Sequence, residues 1–207
     1  MAFVDKLQNR LNHVQNFVNC TPTLTITQDI ESNVFEFDLS DEVDADHIVE
    51  LILKYREQFP VSNTTNVNAW HSSYRTHKQT TSFDSLIKII EQRVDLVMRS
   101  DNNHVLKDFK MHPKVVDSWA IIYEKNDHTK WHNHTPANYS VVYYARADEN
   151  ATPLVFKKTQ EHNIEIKPKT NMLVVFQGYT NHMVPKLEVE NQRICFSANL
   201  HLIEREN

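Results

Sequence analysis

The stretch Thr129–Tyr144, TKWHNHTPANYSVVYY, sets two histidines one residue apart beside a tryptophan and then runs into aromatic and β-branched residues. Its second half reads as a strand, because valine and tyrosine suit a pleated, half-buried surface. It belongs to a series. Beyond about residue 112, VVDSWAIIYE, YSVVYYARA, PLVFK, NIEIK, NMLVVF, HMVPKL and RICFSANLHLI read as short strands, with NDHTK, DENATP, KPKTN and VENQ as breaks. Upstream the period changes. Phe3, Leu7, Leu11, Val14 and Val18 recur at helical spacing, VFEFDL alternates like a strand, and Ile48, Ile52, Tyr55 and Phe59 form a second helical stripe. A third helix carries Phe83, Leu86, Ile87, Ile90, Val94 and Val97 on one face, with Thr81 or Ser82 available as its N-cap.

Helices first and strands second imply an α+β, mainly β, architecture: a double-stranded β-helix, or jelly roll, with N-terminal helices packed on one sheet. The 207 residues, 40% hydrophobic, suffice for one core. The expectation is a single domain over 1–207, with 1–112 as a supporting region and 113–203 as the β-helix core. A net charge of -5 gives no basic footprint for a phosphate backbone, so nucleic acid is not indicated as a partner. Cys20 and Cys195 stand far apart, which fits a reducing compartment. The N-terminal MAFVDKLQNRLNHVQNF is charged throughout and reads as neither signal peptide nor membrane span, so the expected location is cytoplasmic. One glycine, Gly178, stands among many asparagines, and asparagine is the next-best residue for left-handed turns.

On an extended segment residues i and i+2 share a face, so His132 and His134 can converge on one ion while Asn133 points away. His182, after the strand NMLVVF and a glycine-containing turn, is the third ligand suggested by pattern. Three imidazoles suit Fe, Zn, Cu or Ni with open coordination positions. In the last strand Arg193, Cys195, Ser197 and Asn199 share one face and Ile194, Phe196, Ala198 and Leu200 the other. An inward arginine near the histidines offers a fork for a carboxylate. Asp127 is a competing metal ligand, although a carboxylate in a turn ordinarily caps the turn. The loop NTTNVNAWHSSYRTHKQT, with Trp70, His71, Tyr74, Arg75, His77 and Lys78, suits either a ligand or a capped edge strand.

The runs WAIIYEKNDHTKWHNH, YSVVYYA, PLVF, IKPKTNMLVVFQGYTNHMV and RICFSANL resemble the 2-oxoglutarate- and Fe(II)-dependent oxygenases, of the prolyl-4-hydroxylase-like kind often met in marine bacteria and their phages. The resemblance spans roughly residues 115–200, and FEFDL with NAWHSSYRTH is similar to the upstream part of one subfamily. It implies His132 and His182 as the first and last metal ligands and Arg193 as the partner of the distal 2-oxoglutarate carboxylate. Tyr144 is implied on that same carboxylate, with Tyr123 and Ser197 as further cosubstrate contacts and Asn199 and Trp131 as substrate contacts. The implied cofactor is Fe(II), the cosubstrates are 2-oxoglutarate and molecular oxygen, and the products are succinate, carbon dioxide and a hydroxylated peptide or metabolite. The chain departs from the common His-x-Asp or His-x-Glu pattern at His134, which leaves the centre one unit more positive. Two rivals stand beside this reading. One is a catalytically silent jelly-roll metal-binding or virion module. The other is a cupin-type three-His dioxygenase without 2-oxoglutarate, although the glutamate of the cupin pattern is missing at Ala137 and Asn138. A phage-encoded copy would act in the cytoplasm of the infected host.

Overall fold

The computed structural model describes residues 34–61, 66–100, 111–159 and 162–204. The helix expected over Phe3–Val18, and Cys20, lie outside them. The elements are β1 (Val34–Asp38), α1 (Ala45–Gln58), β2 (Val67–Asn68), β3 (Trp70–His71), α2 (Thr76–Gln79), α3 (Asp84–Ser100) and β4 (Met111–Tyr123), followed by strands only. These are β5 (His128–His132), β6 (Tyr139–Arg146), β7 (Leu154–Lys157), β8 (Asn163–Ile166), β9 (Met172–Gln177), β10 (His182–Val184) and β11 (Arg193–Glu204). They form two antiparallel sheets, one of six strands in the order β1-β9-β6-β11-β4-β3 and one of five in the order β2-β5-β10-β7-β8. The fold is a jelly roll with helices against the six-stranded sheet.

Both long helices form where the apolar period predicts, and both differ at an end. Asp44 caps α1 by accepting a hydrogen bond from the His47 amide at 3.1 Å. The helix stops at Gln58, because Phe59 precedes Pro60 and the residue before proline is pushed out of the helical region. Phe59 is therefore not the last buried position of the stripe and stands 48% exposed. In α3 the first helical bond runs from the Ile87 amide to the Phe83 carbonyl, so Thr81 and Ser82 lie in the preceding turn instead of capping. Burial of Phe83 against Phe196, ring centroids 4.8 Å apart, accounts for that offset.

Alternation along β11 sorts its side chains between two cores. Ile194, Phe196, Ala198 and Leu200 join Ile52, Phe83, Leu86, Ile90 and Val94 between sheet and helices. Cys195 faces the other way, among Trp119, Tyr144, Leu154, Phe156, Val174 and Phe176 between the sheets. Asn126 and Asn171 carry the positive φ angles of 72° and 66°, as expected of asparagine in a glycine-poor chain. Among the described residues no helix is long and apolar enough to cross a membrane.

Candidate active site

Antiparallel pairing of β5 with β10 sets His132 directly opposite His182. β5 ends at His132, so His134 leaves the strand and is placed by a turn. Its amide donates to the Gly178 carbonyl at 2.7 Å, and the Gly178 amide donates to the Asn138 carbonyl at 3.0 Å. The one glycine is needed for closeness: a Cβ there would lie 2.1 Å from the Ala137 carbonyl oxygen. Asn133 also donates to the Asn181 side chain at 3.2 Å, tying the two histidine-bearing loops together.

The three imidazoles converge. Ring centroids are 4.2 Å apart for His132 and His182, 4.9 Å for His132 and His134, and 5.1 Å for His134 and His182. One ring nitrogen from each lies within 4.8 Å of the others. His132 Nδ1 bonds the Lys130 carbonyl at 2.8 Å and His182 Nδ1 bonds the Thr180 carbonyl at 2.9 Å. A carbonyl only accepts, so each Nδ1 is protonated and each Nε2 keeps its lone pair. Burial lowers the pKa of all three histidines. His134 falls to about 3 through burial first and the neighbouring His132 second. All three are neutral donors at pH 7, the form that binds borderline divalent metals.

Behind them lies a cavity of about 180 Å³ whose lining includes Arg193, Tyr123, Tyr144, Cys195 and Ser197. Arg193 is 1% exposed. Its guanidinium lies 5.7 Å from the ring centroids of both Tyr123 and Tyr144, which face it from the two strands flanking β11. Nη2 donates to the Thr152 carbonyl, while Nε and Nη1 are buried without a hydrogen-bond partner, as is the Tyr144 hydroxyl. Burial raises the pKa of both phenols, and it pushes the Cys195 thiol up to about 12. These groups stay protonated, and among the described residues Arg193 is the one charged side chain in the lining. A buried cation with unused donors, beside an unused hydroxyl donor, is built for an anion.

The sequence-predicted residues divide by position. His132, His134, His182, Arg193, Tyr144, Tyr123 and Ser197 all line the cavity. Trp131 alternates with His132 along β5, is 43% exposed and lies outside the lining, and Asn199 accepts from Ser140 at 2.8 Å instead. Asp127 accepts from the Glu124 amide at 2.8 Å and caps its turn. Of the mixed loop, His71 and Tyr74 enter the lining, while Trp70 donates to the Phe59 carbonyl and His77 bonds Ser118. Asn66, Trp119 and Thr129 lie within the quoted runs but are not among the named candidates, since each reads as ordinary strand or loop by type, and Asn133, expected to point away, also joins the lining.

Residues 117–199 match the profile of a family described as "Putative 2OG-Fe(II) oxygenase". No curated protein matches the sequence. Among solved structures, the chain is similar to a Pseudomonas putida prolyl-4-hydroxylase, with 12% identity over 86% of this chain and 95% of that one and a TM-score of 0.58. It is similar to a Trichoplax adhaerens prolyl hydroxylase in complex with a hypoxia inducible factor peptide fragment, with 13% identity over 97% and 93% of the chains and a TM-score of 0.63. It is also similar to the epimerase SnoN in complex with Fe3+, alpha ketoglutarate and nogalamycin RO, with 8% identity over 86% and 83% and a TM-score of 0.59. At these identities the likeness establishes the jelly-roll fold.

Proposed function

We propose that the chain is a 2-oxoglutarate- and Fe(II)-dependent oxygenase that hydroxylates a peptide or a metabolite. The observation that carries this reading is one cavity holding both a convergent trio of neutral histidines and a buried guanidinium with unused donors. Each half fits its group. His132, His134 and His182 would hold the iron, their lone pairs available because burial keeps them deprotonated. Arg193 would take the distal carboxylate of 2-oxoglutarate, with the Tyr144 hydroxyl as second donor. When bound, iron and 2-oxoglutarate supply an oxidant made from oxygen, with succinate and carbon dioxide released.

The remaining work belongs to the chain. The Lys130 and Thr180 carbonyls fix the His132 and His182 ring orientations, as outer partners of metal ligands do. The Gly178 carbonyl fixes the His134 backbone. Phe176 and Phe156, with ring centroids 4.7 and 5.7 Å from His182, and Trp119, 5.5 Å from His134, keep water from the ligand side. Arg193 and Tyr144 orient the cosubstrate, and burial keeps Tyr144 a donor. A three-His centre that does without 2-oxoglutarate leaves the Arg193 donors with no role. Calorimetric titration decides between the two: 2-oxoglutarate should bind the metal-loaded protein and bind Arg193→Met more weakly by about 2–4 kcal/mol, and failure to bind the wild type would refute the proposal.

A further inference from the structure

We infer that the strap formed by residues 66–74 is the substrate-recognition element of this site, and that it takes an uncharged, ring-bearing group carrying a hydrogen-bond acceptor. The inference rests on the oxygenase reading for what occupies the deep end. The strap joins both sheets: β2 pairs with β5 at the edge of one, and β3 pairs with β4 at the edge of the other. It thereby bridges one edge of each sheet and contributes Asn66, His71 and Tyr74 to the cavity lining.

These residues have a common character. The His71 ring stacks on Trp119 at 5.9 Å and 15°, and Tyr74 meets Trp119 edge-on at 5.2 Å and His71 at 4.8 Å. Trp119 continues the wall to His134, so the aromatic surface ends at the histidine cluster. Tyr74 is 39% exposed and marks the mouth, whereas Arg193 is 1% exposed and marks the floor. Asn66 lines the same cavity, and its Nδ2 is buried without a hydrogen-bond partner. A buried amide donor left unmade is costly, so an acceptor on the bound molecule satisfies it.

Charge and size narrow the class. Among the described residues no carboxylate lines the cavity, so a lysyl, arginyl or amine group would enter without a counter-charge beside Arg193 and the metal the histidines would hold. A volume of about 180 Å³ is near the ~150 Å³ that holds benzene, so with a cosubstrate at Arg193 the remaining room is at the mouth, where Tyr74 stands, and takes no more than one compact group. Aromatic walls favour a ring there.

Benzamide and benzamidine test this, since they share shape and differ in charge. Each is titrated into the full-length, Zn(II)-loaded protein, with 2-oxoglutarate binding measured by calorimetry in the same sample and ring binding read by ligand-observed NMR. Benzamide should bind about tenfold more tightly than benzamidine, and Asn66→Ala and Tyr74→Leu should each weaken it about three- to tenfold, the worth of one hydrogen bond or one aromatic contact. Thermal unfolding of both variants confirms that they fold. An acetylated, amidated Gly-Phe-Gly peptide separates sources: tighter binding than benzamide places the group on a peptide, equal binding places it on a small molecule, and either supports the strap. If 2-oxoglutarate binds while benzamide does not, or binds equally in both variants, the strap inference falls and the oxygenase reading stands. If 2-oxoglutarate fails while benzamide binding still depends on Asn66 and Tyr74, the strap stands without the oxygenase reading; if neither binds, both fall.

Discussion

Burial of Arg193 is costly without a ligand. Two of its nitrogens lack partners, and the rings of Tyr123 and Tyr144 offset only part of the desolvation of a full charge. Function and stability therefore oppose each other here. Arg193→Met should stabilise the ligand-free protein, by about 1–3 kcal/mol in urea denaturation, because an apolar side chain of similar volume replaces an incompletely paired buried charge. The same variant should lose about 2–4 kcal/mol of 2-oxoglutarate affinity while metal affinity stays unchanged. A destabilised variant that still binds 2-oxoglutarate would show Arg193 to be structural. At this scale the sequence was informative where residue type is restrictive: a His-x-His pair, a later histidine and an arginine on a small-residue face stand out. Trp131 and Asn199, expected as substrate contacts, lie outside the cavity, because a strand puts neighbours on opposite faces and a serine across the sheet can satisfy an asparagine.

The elements that hold the histidines are short, and two of them escape a reading by pattern. β5 begins inside the polar run NDHTK, which reads as a break, yet it pairs with both β2 and β10. β2 and β3 span two residues each, too few for alternation to register, and both are fixed by partners distant in sequence. The long strands β4, β6 and β11 were legible because their apolar alternation is sustained and both faces are packed. His134 has no strand to hold it and depends on Gly178. Gly178→Ala must displace the Ala137 backbone, since the new Cβ would lie 2.1 Å from its carbonyl oxygen. Overpacking of this kind costs about 1–3 kcal/mol, and the shifted turn should weaken metal binding by about 10–100-fold. Calorimetry with Zn(II) against wild type checks this, and unchanged metal affinity would detach the glycine from the site.

For the whole molecule, helices preceding a run of strands made the fold class legible, while strand order and the bridging strap depend on pairings far apart in the chain. Burial of neutral histidines gives the fold a pH dependence. Burial lowers the pKa of His71, of the half-buried His77 and, without metal, of the three clustered histidines. An unfolded histidine gains its proton near pH 6.5, whereas these stay neutral in the fold until lower pH, so the unfolded state binds more protons and stability rises with pH. The contribution is whole above about pH 6.5 and is lost as the pH falls toward the lowered folded values, which for His134 is about 3. The urea midpoint of metal-free protein should fall steadily from pH 7.5 to pH 5, and a flat profile would contradict the buried neutral histidines. The oxygenase claim itself is tested most directly by succinate. With Fe(II), oxygen and 2-oxoglutarate and no added substrate, the native protein should release succinate above the level of Arg193→Met and of a no-protein control. His134→Asp, which restores the commoner ligand type but not the surroundings built for histidine, should release no more than the native protein. A silent native protein beside an active His134→Asp variant would contradict the claim and identify the native chain as a metal-binding relic of the fold.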